Sequence, residues 1–420
     1  MNTYWKKKSQ EEIKSRVFSA LAQNINYKEE SLLGMPATHL DEKVFNQDAS
    51  FLKDAPFITS LVQNPNHIGC HTLGKSESAF SGTHEIEKEL IEICSVDILK
   101  GEPLENDGYI ASGGTEGNIQ AIWIYRNYFM AEENADRDEI CIICSEDSHY
   151  SMYKAGNLLS VPVYKVPVGQ DDRQITEDGL SKVLIQAKKD GKKYFIVVCN
   201  MMTTMFGSVD EVDDFVKPLE ALNCTYKLHV DGAYGGFYYP FSDENSQLTF
   251  KNEKITSFSL DAHKMAQAPY GTGVFMIRKG FMKYANTEEA SYIEGEDFTL
   301  IGSRSGANVI ATWMILSKHG PYGWSEKVYI LQRRTQWLCE HLADLGLEYY
   351  RHPMSNIVTI KSHSIDNEVA KRFGLVPDNH KNPKWLKIVV MEHVTIEKLM
   401  LFLDAIKNPQ PELVSWPILS

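Results

Sequence analysis

From about residue 107 to residue 275, short apolar runs alternate with longer stretches whose apolar residues recur every three or four positions. The short runs, at 109–111, 139–144, 161–166, 195–199, 227–230, 257–260 and 273–277, predict strands. The longer stretches, 115–130 and 177–189 among them, predict helices. Strands of this kind, separated by amphipathic helices, predict a mainly parallel sheet covered on both faces. Residues 306–345 read as helical, 349–360 and 385–390 as strands of a separate small domain, and 394–406 as its closing helix. Residues 1–50 read as helical and polar, with a break at Leu33-Gly34-Met35-Pro36. Residues 51–75 carry Pro56, Pro65, Gly69 and Gly74 and read as loop with short helix, and a further helix begins near Thr83. The predicted organisation is an N-terminal helical arm (1–55), a large α/β domain (56–305), and a linking helix with a small α+β domain (306–420).

A chain of 420 residues can bury a sizeable core in one large and one smaller domain. Its 43% hydrophobic and 24% charged residues argue against a disordered or fibrous class. The net charge of −13 argues against nucleic-acid and anionic-membrane partners, though not against a local basic pocket. Lys6, Lys7 and Lys8 are followed by no apolar run, so no signal peptide is expected, nor is any apolar run long enough to span a bilayer. Seven scattered cysteines, an odd number, suit a reducing, cytoplasmic compartment. Cys141 and Cys144 have a CxxC spacing but fall in a predicted strand, where positions three apart face opposite ways. They are expected to be structural, and no metal site is expected.

Open α/β sheets bind ligands beyond the carboxyl ends of their strands. Five features fall at such ends. Ser112-Gly113-Gly114-Thr115-Glu116-Gly117-Asn118 follows one strand and opens a helix, where glycines and unpaired N–H groups can receive a phosphate; alone it reads equally well as a capped turn. His149 follows the strand ending near Cys144, where an imidazole could stack on an aromatic cofactor or be a plain loop histidine. Thr203 and Thr204 place two hydroxyls past a third strand. Asp231 ends the His229-Val230-Asp231 run, and a carboxylate there needs a cationic partner such as a protonated pyridine nitrogen; Ala233 is small enough to lie flat against a ring. Lys264, in Asp261-Ala262-His263-Lys264, stands just beyond the strand that contains Ser257, where partial desolvation favours a nucleophilic amine. No motif alone outweighs its bland reading. Together, in this order and each at its own strand end, they point to a pyridoxal 5′-phosphate site.

With these residues in place, the chain resembles the group II pyridoxal-dependent decarboxylases, over roughly residues 60–405. The resemblance implies a fold-type-I enzyme with a seven-stranded sheet that converts an L-amino acid to its amine and carbon dioxide. It implies Lys264 as the Schiff-base lysine, Asp231 on the pyridine nitrogen, His149 and Ala233 against the two ring faces, and Gly114, Thr115 and His263 on the phosphate. Ser257 falls in the same cofactor-binding set, and Thr203 or Thr204 is implied to touch the ring hydroxyl or a carboxylate. The segment Ile301-Gly302-Ser303-Arg304-Ser305-Gly306 resembles one that reaches the partner subunit's site, with Ser303 at the phosphate, which implies a homodimer with shared active sites. Tyr292 is the expected acid for the substrate carbon. His67 and His71 are candidates for recognising a substrate side chain. Two departures stand out: Gly232 replaces an alanine of the family pattern, and Lys387 stands where an arginine usually binds a substrate carboxylate, giving a point charge instead of a bidentate fork. A carbon–carbon lyase of the sphingosine-phosphate-lyase type and a non-catalytic cofactor-binding protein remain as alternatives at this stage.

Overall fold

The structure is a computed structural model that describes residues 3–24, 48–63, 78–285 and 297–408. Its larger sheet contains β1 (Asn106–Ala111), β2 (Ile140–Ser145), β3 (Val163–Val166), β4 (Tyr194–Asn200), β5 (Thr225–Gly232), β6 (Ile255–Asp261) and β7 (Gly273–Arg278). The strand order is β1-β7-β6-β5-β4-β2-β3. Strands β3, β2, β4, β5 and β6 pair in parallel, while β7 runs antiparallel to both β6 and β1. The carboxyl ends of β1, β2, β4, β5 and β6 therefore share one edge, and all five predicted motifs leave the sheet there. All seven predicted strands are present.

The apolar runs are long because both faces of the sheet are buried. Cys141, Ile143, Phe195, Val197 and Cys199 pack on one face, and Ile140, Ile142, Cys144, Ile196 and Val198 on the other. This is the two-residue alternation of a strand, and it sends Cys141 and Cys144 into different cores. The helices Gly114–Glu132 and Ser151–Leu159 cover one face through Ile122, Tyr125, Phe129, Met152 and Ala155. The helices Ser81–Glu92, Glu177–Lys189 and Val212–Ala221 cover the other through Ile86, Leu90, Leu184, Phe215 and Leu219.

The N-terminal segment, read from the sequence as a polar helical arm, also carries an apolar helix face. Ile13, Val17, Ala20 and Leu21 of helix Gln10–Gln23, together with Trp5, belong to the same core as the sheet. The spacing of these four residues marks one apolar helix face, which the polar composition of the segment masks. Backbone N–H groups of Thr3, Tyr4 and Trp5 donate to the Asp97 carboxylate, and the Trp5 indole donates to the Leu316 carbonyl at 2.6 Å. Lys8 N–H donates to the Ser317 carbonyl at 2.8 Å. This strap fits because Gly320 breaks the helix Gly306–Asp344 with φ of 64° just before Pro321. A Cβ there would lie 2.6 Å from that of Lys7, so this position needs glycine both for its left-handed backbone and for the close approach.

The small domain carries an antiparallel sheet of β8 (Tyr349–Tyr350), β9 (Ile357–Lys361), β10 (Val376–Pro377) and β11 (Trp385–Val389), ordered β10-β11-β9-β8. Leu338 and Leu342 of the long helix and Leu399, Phe402 and Leu403 of helix Ile396–Lys407 close its core. The strand expected over 349–360 is two strands. Pro353 has no N–H for a ladder, and Arg351 and Ser355 tie a turn between them. Among the described residues no helix is long and apolar enough to cross a membrane.

Candidate active site

The shared strand edge opens into a cleft lined by His149, Asn200, Met202, Thr203, Thr204, Asp231, Ala233, Tyr234 and Lys264. Six of these nine residues were expected from the sequence as site residues.

Asp231, at the end of β5, is buried at 7% exposure. Ala233 N–H donates to its Oδ1 at 3.1 Å, and Asn118 Nδ2 donates to its Oδ2 at 2.9 Å. Asn118 is the fifth residue of helix Gly114–Glu132, so the helix that follows the glycine loop also reaches the strand-end carboxylate. A lone buried carboxylate is costly; this one is met by two N–H groups and aimed into a cleft.

His149 lies half-buried before helix Ser151–Leu159. Ser151 N–H donates to its Nδ1 at 3.3 Å, and the Ser151 hydroxyl lies 2.9 Å from the same atom. A backbone donor at Nδ1 leaves the proton of the neutral ring on Nε2. Burial holds its pKa below the usual histidine range, against the pull of Asp231. The ring is thus an uncharged flat surface, packed on Tyr150 with centroids 4.0 Å apart.

Lys264 Nζ pairs with Asp261 Oδ2 at 2.9 Å, and His263 Nε2 lies 3.6 Å from the same oxygen. Burial keeps the His263 pKa below its ordinary value. Asp261 ends β6 and meets the glycine loop: a Cβ at Gly114 would stand 2.8 Å from the Ala233 Cβ and 3.1 Å from Asp261 Oδ2. Gly273 is as tightly placed, since a Cβ there would lie within 2.7 Å of the Gly113 backbone. Glu116 closes the loop by accepting from Ser112 N–H at 2.6 Å and from the Tyr109 hydroxyl at 3.0 Å.

These residues fit pyridoxal phosphate on structural grounds. His263 Nδ1 is buried without a hydrogen-bond partner among the described residues, beside a glycine loop that opens a helix, and can donate to a phosphate there. A flat neutral imidazole, a small Ala233, a strand-end carboxylate and an amine surround the neighbouring space.

Other expected residues take different places. Ser257 is fully buried on β6, with its hydroxyl 2.7 Å from His229 Nδ1 and 2.5 Å from the Tyr125 hydroxyl. It therefore sits behind Asp231 and does not line the cleft. The Thr203 hydroxyl is engaged with Ser208 at 2.7 Å and stabilises its own loop, whereas Thr204 is exposed and its carbonyl accepts from Lys387 Nζ at 2.9 Å. Lys387 on β11 is half-buried, and burial, then the Lys264 charge, lowers its pKa. Ser303 is exposed and outside this cleft, while its neighbour Arg304 turns inward to pair with the buried Glu87. Thr115 is part-exposed at the helix start. His67, His71 and Tyr292 lie outside the described residues. Asn118, His229 and Asp261 were missed as site residues, although all three stand inside the motifs that were singled out.

Residues 86–352 match the family model described as the pyridoxal-dependent decarboxylase conserved domain. The chain is 48% identical over 398 residues to a tryptophan decarboxylase of Clostridium sporogenes, covering 94% of this chain and 95% of that one. It is 30% identical to a probable L-tyrosine/L-aspartate decarboxylase of Methanosarcina barkeri, covering 80% and 86%. Solved structures of an L-methionine decarboxylase from Streptomyces sp. 590 and a sphingosine-1-phosphate lyase from Burkholderia pseudomallei each superpose with a TM-score of 0.67. Their identities are 20% and 21%; the first covers 81% of this chain and 85% of its own, the second 77% of each. Fold and site define a pyridoxal-phosphate enzyme of fold type I. The chain belongs to the pyridoxal-dependent decarboxylase family and is an amino-acid carboxy-lyase.

Proposed function

We propose that the enzyme decarboxylates L-tryptophan, with Lys264 binding the cofactor and Lys387 receiving the substrate carboxylate, in a homodimer whose subunits share active sites. The observation that carries the site assignment is the convergence of Lys264, Asp231, His149 and the Gly114 loop on one strand edge. The substrate follows from the 48% identity to a tryptophan decarboxylase across nearly the whole of both chains. The likeness to the sphingosine-phosphate lyase is one of fold, at 21% identity, and does not favour carbon–carbon cleavage.

When bound, pyridoxal phosphate supplies an electron sink for the pair left behind by carbon dioxide. The protein's residues would hold it as follows. The Asp231 carboxylate would keep a proton on the ring nitrogen. His149 and Ala233 would flank the ring, and Gly114, Thr115 and His263 would bind the phosphate. Lys264 Nζ is the amine that would hold the cofactor. Lys387 Nζ, with no carboxylate within 4.0 Å among the described residues, would draw the substrate carboxylate to the small-domain side of the cleft. Tyr292 delivers a proton to the substrate carbon, and Ser303 completes the partner's phosphate site. A cytoplasmic location suits the unpaired cysteines among the described residues.

Carbon dioxide release from each of the twenty amino acids, with added cofactor, tests the substrate. Tryptophan should lead in kcat/KM by at least about tenfold over tyrosine and phenylalanine, and acidic substrates should give no turnover. Preference for aspartate or glutamate would refute the proposal.

A further inference from the structure

Behind Asp231 runs a chain of fully buried polar groups that no substrate reaches. It comprises the Tyr125 hydroxyl, the Ser257 hydroxyl, the His229 ring and the Asn118 amide, from β5, β6 and the helix that follows the glycine loop. The distances are 2.5 Å from Tyr125 to Ser257, 2.7 Å from Ser257 to His229 Nδ1, 2.9 Å from His229 Nε2 to Asn118 Oδ1, and 2.9 Å from Asn118 Nδ2 to Asp231 Oδ2.

The direction of every hydrogen bond follows from its last member. A carboxylate accepts and does not donate, so the Asn118 amide must turn its nitrogen to Asp231 and its oxygen to His229. The His229 proton is then on Nε2. Burial holds His229 neutral, with a pKa pushed down to about 4, so Nδ1 is an acceptor and takes the Ser257 hydroxyl proton. Ser257 in turn accepts from Tyr125. All four donors point toward Asp231, and aligned hydrogen bonds in a low-dielectric core polarise one another. The second Asn118 N–H reaches Ser151 Oγ at 2.9 Å, and that hydroxyl donates to His149 Nδ1. One amide thus orders both the carboxylate below the ring nitrogen and the imidazole at the ring face.

We infer that Asn118 and His229 are positioning residues that tune the protonation of the cofactor's ring nitrogen through Asp231. This rests on the reading of Asp231 as the partner of that nitrogen. Donation from Asn118 lowers the proton affinity of the carboxylate, so the shared proton stays on the ring. Without that donation it shifts toward Asp231, and the ring becomes a weaker electron sink.

The test is the ¹⁵N NMR shift of protein loaded with ring-¹⁵N pyridoxal phosphate, read at one fixed pH on the plateau where the nitrogen–Asp231 pair holds its proton. Asn118→Leu should move the signal from the pyridinium position toward the neutral-pyridine position, with the ratio of the two forms changed by at least about tenfold, the effect of one hydrogen bond to a charged group. His229→Phe should move it the same way by less. His229→Gln, which keeps an N–H facing Asn118, should restore the wild-type signal. The His229 pair carries the test if Asn118→Leu does not fold. A wild-type signal in both Asn118→Leu and His229→Phe would overturn the inference while leaving the Asp231 reading intact. An Asp231→Asn variant with its ring nitrogen still protonated would show the Asp231 pairing itself to be wrong, and the inference would fall with it.

Discussion

Lys387 is a half-buried cation whose hydrogen-bond acceptor among the described residues is the Thr204 carbonyl. A neutral acceptor does not compensate an ammonium as a carboxylate would. Its proposed counterion is the substrate. A charged hydrogen bond at such a site contributes about 1.5–3 kcal/mol, so Lys387→Met should lower kcat/KM by roughly 10- to 100-fold. The pH dependence has a definite sign. Burial and Lys264 depress the Lys387 pKa, so the ammonium is present at lower pH and is lost as pH rises, before the ordinary lysine value is reached. The basic limb of kcat/KM should therefore fall below the usual lysine range. In Lys387→Arg that limb should move upward, because a guanidinium stays charged. A limb unchanged in Lys387→Arg would assign it to another group.

At the scale of elements, the glycine loop shows how tightly helix and strand are fitted. Gly114 faces Ala233 and Asp261 so closely that one methyl group must push them apart. Overpacking of this kind costs about 1–3 kcal/mol. Gly114→Ala should weaken cofactor binding by roughly 10- to 100-fold in a fluorescence titration, with little change in the secondary structure seen by circular dichroism. Much of this layer was legible in the sequence. Strands buried on both faces write continuous apolar runs, which is why all seven appear, and parallel pairing then places their carboxyl ends together. The polar network was not legible. Asn118 and His229 stood in the quoted motifs, but they lie 111 residues apart, and Ser257, which His229 meets, lies 132 residues from Tyr125; only the β5–β6 pairing and the overlying helix bring them together. Ser257 was misplaced for the same reason: its strand was evident, and the face it points to was not. The N-terminal helix was misread as a polar arm because four apolar residues at helical spacing are diluted by charge around them.

For the whole molecule, the proposed dimer explains why Arg304 is buried against Glu87 while Ser303 on the next position is exposed outside its own cleft. The inward arginine fixes the segment, and the outward serine is free for a second subunit. In the proposed dimer Tyr292 reaches the partner's site together with Ser303, so Lys264→Ala and Tyr292→Phe subunits should each be nearly inactive as homodimers. When they are refolded together, mixed dimers should regain activity, since one of their two sites then has both residues intact. Failure of a confirmed mixed dimer to regain activity would place Lys264 and Tyr292 of the working site on one chain.

The central claim is that Lys264 holds the cofactor at this strand edge. Borohydride treatment of the loaded enzyme, which fixes a pyridoxal–lysine bond irreversibly, followed by peptide mass spectrometry, tests it most directly. The account predicts a single pyridoxyl group on the peptide containing Asp261-Ala262-His263-Lys264. A pyridoxyl group on another lysine, with Lys264 unmodified, would contradict it.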